Sequence, residues 1–350
     1  MYLCLSFMVH LIQIRLLAKL ARIKTRQTKL IAVSLIENFG DIVACEPIAR
    51  YLRRKHPDAF IVWFVRKPHR ELLVFNPDID RVVNVHCLTE WIWLSRRALF
   101  DEIVDLHFQG RVCQVCAVPL NKTNGDGQIT QQSYYHFGSL LACCSRSAGL
   151  PELSEAPKVY LPDAIRRRIN SRALPGKFVV LHCYSAEEVR DWSTPKWKQL
   201  AERVVSDSEV SIVEVGKRPA LADWNSSAYI NLCGKLSLLE TAEVIGRSLL
   251  FVGIDSGPAH FANALGIFGI VLLGHYHAFE RYLPYSGNYS DPNKANLLYA
   301  DGPVASIEVE RVYQAVTKRL RSEVSDRRLD LTFRPVRTEK ALSSTARWTT

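Results

Sequence analysis

Apolar positions fall into short runs separated by longer stretches of helical spacing. Leu30–Leu35 (LIAVSL), Phe60–Val65 (FIVWFV), Arg81–Val85 (RVVNV) and Glu102–Leu106 (EIVDL) are β-branched or alternating segments of strand length. Between the first two, Ile42, Val43, Pro47, Ile48, Ala49 and Leu52 mark a helix that opens after Asn38-Phe39-Gly40-Asp41 and ends at His56-Pro57-Asp58. This is a strand-helix-strand unit, which requires a parallel sheet. Residues 149–162 hold three prolines and no period, as a connector does. A second series follows. Lys177–His182, Val210–Val215, Tyr229–Leu232, Leu249–Gly253 and Ile267–Leu273 read as strands; Trp197–Val205, Leu238–Gly246, Pro258–Leu265 and Ile307–Leu320 read as helices.

Two such series predict an α/β fold of two Rossmann-like domains whose parallel sheets face each other across a cleft. The expected division is an extension over 1–29, a first domain over 30–160, a second over 161–321 and a tail over 322–350. The tail is rich in Arg and Ser and is expected to be largely disordered.

At 350 residues, 48% hydrophobic and 23% charged, the chain has ordinary globular composition and ample core for two domains. A formal charge of +10 favours anionic partners: phosphorylated ligands, acidic lipid or nucleic acid. No aromatic-basic nucleic-acid motif accompanies it, so nucleic acid is not expected as a partner. Met1–Leu17 is apolar but is broken by His10, Gln13 and Arg15, too short and polar for a membrane span and lacking signal-peptide features. Arg15–Lys29 carries six cations with Leu16, Leu17, Leu20 and Ile23 near helical spacing. It reads either as a basic amphipathic helix lying on an anionic membrane or as an extension without a role. Nine cysteines, an odd number, read as reduced thiols of a cytoplasmic protein. Cys113-Gln-Val-Cys116 has metal-knuckle spacing, but the next pair, Cys143-Cys144, is adjacent and suits a tetrahedral ion poorly; no metal site is expected.

Three strand ends carry chemistry. Gly40 and Asp41 follow the first strand, where ligands of open parallel sheets bind, although Asp is equally a helix N-cap. Asp255-Ser256-Gly257-Pro258-Ala259-His260 follows another. There Ser256, Gly257 and the succeeding N–H groups make an anion-binding helix start, or simply a capped helix with a core histidine. Ser185 and Arg190, in the loop after Lys177–His182, offer a hydroxyl and a guanidinium suited to a diphosphate, or a solvated basic loop.

In order, these segments resemble glycosyltransferase family 9, the lipopolysaccharide heptosyltransferases, over about residues 30–320. The resemblance is carried by Gly40-Asp41 with Pro47, His56-Pro57-Asp58-Ala59, Asn76-Pro77-Asp78-Ile79-Asp80, Val104-Asp105-Leu106-His107-Phe108-Gln109-Gly110, Asn231-Leu232-Cys233-Gly234-Lys235-Leu236-Ser237-Leu238 and, most specifically, Asp255–Ala262. It implies a GT-B fold and an inverting glycosyltransferase that needs no divalent ion or other cofactor. The implied donor is a nucleotide sugar, by default a heptose, and the acceptor an envelope glycolipid at the inner face of the cytoplasmic membrane. By the same resemblance Asp41 is the general base. Ser185, Arg190, Asp255, Ser256, Gly257 and His260 hold the donor, and Gly40, Gln109 and Arg111 lie on the acceptor side. Departures are Cys183-Tyr184 where the family has Pro-Gly, Arg190 for a Lys, no Glu four residues after Gly216, and Gly274-His275-Tyr276-His277. A sugar-nucleotide epimerase and a non-catalytic binding paralogue are the alternatives.

Overall fold

A computed structural model describes residues 2–24, 29–36, 38–274 and 283–332, with side chains of the first and last helices described over 5–16 and up to 322. In chain order the elements are α1 (Tyr2–Lys24), β1 (Leu30–Ser34), α2 (Phe39–Ala44), α3 (Pro47–Lys55), β2 (Phe60–Arg66), β3 (Arg81–Val85), α4 (Leu88–Ser95), β4 (Glu102–Asp105), α5 (Leu140–Ser147) and α6 (Asp163–Asn170). Then come β5 (Phe178–His182), α7 (Thr194–Asp207), β6 (Ser211–Glu214), β7 (Tyr229–Asn231), α8 (Leu238–Gly246), β8 (Leu250–Ile254), α9 (Gly257–Leu265), β9 (Gly269–Leu273), β10 (Ala295–Tyr299) and α10 (Val309–Thr332).

Two parallel sheets result. The first has the order β3-β2-β1-β4, the second β10-β9-β8-β5-β6-β7. β1, β5 and β8 are buried along their whole length, which explains why their sequences are continuous apolar runs rather than alternating ones. The strand order reverses between β1 and β4 in one sheet and between β5 and β8 in the other. At such reversals the loops diverge and leave a crevice beyond the strand ends. Asp41 follows β1, Ser185 follows β5 and Asp255 follows β8, so three candidate segments stand at the two switch points.

The predicted strands are all present, and α8 has the predicted bounds. Elsewhere the structure corrects the reading. The single helix expected after Asp41 is two, α2 and α3, separated at Cys45–Glu46 ahead of Pro47. The last helix runs on to Thr332, so the expected disordered tail cannot begin at 322; residues 333–350 lie outside the described residues. The N-terminus is helical from Tyr2, earlier than the basic segment. Phe7, Leu11 and Ile14 bury one face of α1 with Trp91, Ile92 and Leu94 of α4, and Glu90 accepts from Ser6 Oγ (2.9 Å) and pairs with His10 Nδ1 (2.6 Å). Leu5, Met8, Ile12 and Leu16 stay exposed on α1. No helix among the described residues is long and apolar enough to cross a membrane. Of the six cations of 15–29, Lys29 is spent in an ion pair with Glu102; the side chains of 17–28 lie outside the described residues.

The connector is strapped down rather than slack. Buried Glu46, at the start of α3, accepts from Lys158 N (2.9 Å) and Tyr160 Oη (3.0 Å), and pairs with Arg50, which in turn donates to Ala156 O (2.6 Å). From the second half, Ser286 Oγ donates to Glu155 O (3.2 Å).

Candidate active site

The turn after β1 and the start of α9 meet through two glycines. A Cβ on Gly40 would lie 3.0 Å from Gly257 Cα and 3.0 Å from His260 Cδ2. On Gly257 it would fall 2.0 Å from the Phe39 ring, which also packs 5.3 Å from Phe261, centre to centre. The glycines at these motifs are therefore needed for the close approach of α2 and α9, and Phe39 lies over the first turn of α9. The halves are further tied where Glu71 accepts from the α8 N-terminal N–H groups of Leu238 (3.0 Å) and Leu239 (3.4 Å), a carboxylate placed against a helix dipole.

Asp41 occupies the first turn of α2, half-buried, with Asn38 Nδ2 donating to its Oδ2 (3.3 Å). Burial raises its carboxyl to about 6; the Asn38 bond, Arg111 and Arg190 oppose the rise, and Asp255 adds to it. A helix start alone favours the ionised form, but α2 is only six residues long, and desolvation wins. Arg111, from the loop after β4, and Arg190, from the loop after β5, thus converge electrostatically on one carboxylate. Arg190 Nη1 lies 3.6 Å from Asp255 Oδ2, and Tyr285 Oη donates to Asp255 Oδ1 (2.7 Å). Ser256 is the α9 N-cap, but its hydroxyl donates to Ile254 O (3.2 Å), leaving the helix start uncapped by side chains. His260 is buried against the Tyr285 ring at 4.8 Å, and burial lowers it to about 4, so it is neutral at pH 7. Its Nδ1 has no hydrogen-bond partner among the described residues.

Asp41, Arg190, Asp255, Gly257 and His260 are thus brought together with Gly40 and Arg111. Two predicted residues are otherwise engaged. Ser185 Oγ donates to Glu187 O (2.6 Å) and accepts from Glu187 N (3.0 Å), closing a local turn. Gln109 Oε1 accepts from Lys122 N (2.9 Å), so its amide holds the chain after β4 in shape. Glu214, two residues before the Gly216 departure, is wholly buried and accepts from Ala220 N, Leu221 N and Tyr229 Oη. Cys183 is buried, and Tyr184 bonds Thr194 (2.7 Å) beneath Arg218, whose guanidinium lies 4.2 Å from the ring centre. Residues 275–282, with the His275-Tyr276-His277 departure, lie outside the described residues.

Sequence reasoning missed Tyr285, which has no motif around it, and a buried network below Asp41. His107 Nδ1 is 2.7 Å from Asp105 Oδ1, while its Nε2 accepts from Ile36 N (3.1 Å), which fixes Nδ1 as the protonated nitrogen. Trp91 Nε1 donates to Asp105 Oδ2 (2.9 Å), and Lys122 Nζ bonds the carbonyls of Asp105, His107 and Ser147. An Asp-His pair invites a catalytic reading. Here both ring nitrogens are occupied, so the pair holds the end of β1 and cannot take a substrate proton.

Residues 139–291, the segment that includes α9 and Tyr285, match the model of glycosyltransferase family 9 (heptosyltransferase). Over that segment the chain is similar to the heptosyltransferases of that family. Lipopolysaccharide heptosyltransferase 3 of Escherichia coli (strain K12) is 21% identical over 278 residues, spanning 67% of this chain and 79% of that protein. Among solved structures, a family 9 glycosyl transferase from Veillonella parvula DSM 2008 superposes with a TM-score of 0.64 at 15% identity, covering 84% of this chain and 97% of that one. E. coli ADP-heptose lps heptosyltransferase II gives 0.60 at 18% identity, covering 85% and 99%. At such identities these neighbours establish the fold, which is the GT-B arrangement of two facing α/β halves.

Proposed function

We propose that the chain transfers a sugar, a heptose by family default, from a nucleoside-diphosphate donor to a lipopolysaccharide or related envelope glycan, with inversion at the anomeric carbon. The observation that carries this reading is the placement of Asp41: a carboxylate raised to about 6, beside Gly40 where α2 and α9 meet, with the charges of Arg111 and Arg190 both acting on it. An acceptor hydroxyl attacks the anomeric carbon as Asp41 removes its proton. The bond from that carbon to the diphosphate oxygen breaks, and the nucleoside diphosphate leaves with the electron pair. A carboxylate near 6 is mostly ionised at neutral pH and is a stronger base than an ordinary aspartate, as general-base catalysis requires. Charge growing on the leaving diphosphate is met by Arg190 and by the uncapped N–H groups of α9, fixed groups that stabilise it without a divalent ion. Asp255, held by Tyr285, orients Arg190. Ser185 reaches a phosphate only by giving up its bond to Glu187.

We place the protein on the inner face of the cytoplasmic membrane, held by α1, whose Leu5, Met8, Ile12 and Leu16 are exposed beside Arg15. Vesicles of anionic lipid should bind the full chain and release a chain lacking residues 1–24; equal binding by both removes this placement.

The transfer reading is tested by a thermal-shift panel of ADP-, GDP-, UDP-, CDP- and dTDP-linked ligands, in which one should raise the melting temperature. That donor is then used to compare the parent with Asp41→Asn. Full activity in the variant would reduce Asp41 to a helix residue, and donor binding without transfer by the parent would favour the binding-paralogue reading.

A further inference from the structure

After β4 the chain makes a short hairpin. Its legs pair Leu120 N with Arg111 O (2.8 Å) and Cys113 N with Val118 O (2.9 Å), and Ala117 N closes the tip on Cys113 O (2.9 Å). Cys113-Gln114-Val115-Cys116 is that tip. Cys87, the residue that starts α4, faces it from 26 positions upstream of Cys113. The three sulfurs all lie within 4.8 Å of one another, and Cys87 Sγ and Cys116 Sγ are 3.8 Å apart, unbonded. Cys143 and Cys144, the pair that argued against a metal from sequence, are elsewhere on α5, where Cys143 Sγ bonds Tyr134 O.

We propose that Cys87, Cys113 and Cys116 bind a thiophilic transition-metal ion, with Zn2+ the fitting case. Two sulfurs about 2.3 Å from one tetrahedral zinc ion stand about 3.8 Å apart, the separation found for Cys87 and Cys116. The backbone is arranged for thiolates. N–H groups of Val115 and Cys116 are directed at the Cys113 sulfur, and those of Thr89 and Glu90 at the Cys87 sulfur, as outer donors around a metal-thiolate centre are. Ala117, directly after the second knuckle cysteine, has φ 55°, the one non-glycine residue with positive φ among the described residues. That left-handed step turns the chain back at the hairpin tip, as such residues do in short hairpin loops, and leaves the Cys113 and Cys116 sulfurs close together. Cys87 and Cys113 are buried and Cys116 is half-buried. The fourth tetrahedral position therefore falls on the Cys116 side, for water or an outside ligand.

The ion would join the hairpin to α4. The first residue of the hairpin is Arg111, whose charge acts on Asp41, so the site would fix a cation of the transfer site from a distance. This positioning role rests on the function proposed above; the metal site does not. It is a site on the first half, at the junction of α4 and the hairpin.

The test uses the full chain, purified under reducing conditions without strong chelators. Elemental analysis should find about one zinc per chain, and Co2+ exchanged into the protein should give thiolate-to-cobalt charge-transfer absorption. Cys116→Ser and Cys113→Ser should lose the bound metal, whereas Cys143→Ser should retain it. Parent protein that takes up neither Zn2+ nor Co2+ beyond the Cys116→Ser background would overturn the proposal. So would a Cys87–Cys116 disulfide in the freshly isolated chain. Should the serine variants not fold, the cobalt titration of the parent decides alone.

Discussion

The turns after β1 and β8 are built alike, and they end differently. Each places an aspartate and a glycine where a buried strand gives way to a helix, and the glycines meet across the halves. At Asp255 the carboxylate is satisfied by the Tyr285 hydroxyl and the Arg190 guanidinium. At Asp41 the carboxylate is desolvated, and Asn38 reaches it only at 3.3 Å. The same local grammar yields a carboxylate paired by distant side chains in one half and a desolvated one in the other, because partners from distant loops, not the turn itself, set the outcome.

The largest expected effect separates the two. Asp41→Asn should lower transfer about a hundredfold to ten-thousandfold with donor binding retained, as loss of a general base does. Asp255→Asn keeps an acceptor for Tyr285 and should cost less, through looser placement of Arg190. Equal losses from both substitutions would erase the distinction.

Next is the donor cation itself. Arg190→Ala should weaken donor binding about tenfold to a hundredfold, the usual worth of a hydrogen bond to a charged group, and calorimetric titration of the preferred nucleotide checks it. An unchanged dissociation constant would move the phosphate site elsewhere.

Acidity gives a third lever. Asp41 is raised from 3.8 to about 6, so between those values the folded state holds a proton that the unfolded chain has released. The stability of the neutral carboxyl is present below about pH 4 and is lost as pH rises through about 6. Asp41→Asn is neutral throughout. It should therefore be more stable than the parent at pH 8, by at most about 3 kcal/mol, with the gain gone near pH 3. Denaturation curves at the two pH values measure it. Transfer by the parent should fall as pH drops through about 6.

The smallest effect concerns packing. Gly257→Ala drives a methyl into the Phe39 ring and should destabilise the fold by about 1–3 kcal/mol, as overpacking does. Adding Phe39→Leu should recover part of that loss, and additivity of the two changes would show that the ring can yield without cost.

The sheets were legible because most of their strands are short apolar, β-branched runs, and β1, β5 and β8 are buried along their whole length. Asp41 and the Asp255–His260 turn were legible for the same reason, since a strand end in a parallel sheet marks its ligand side. What escaped was non-local. Tyr285 acts on Asp255 from 30 residues away with nothing periodic around it. Cys87 lies so far before Cys113 that spacing alone directed attention to Cys143 instead. The α1 helix was misjudged because its apolar residues were weighed as a membrane span, whereas every third or fourth one, Phe7, Leu11 and Ile14, faces the protein.

The strapped connector bears on modular exchange. Two halves of this kind invite shuffling, because each is a parallel sheet with its own helices. In this chain the seam is written into the first half: Glu46 and Arg50 on α3 hold the main chain of Lys158 and Ala156, which lead directly into the second half. A graft that brings a foreign first half must import that Glu-Arg pair at the same spacing, or the incoming half inherits an unanchored lead-in. In this chain, replacing loops at the strand ends disturbs less of that seam than exchanging a whole half would.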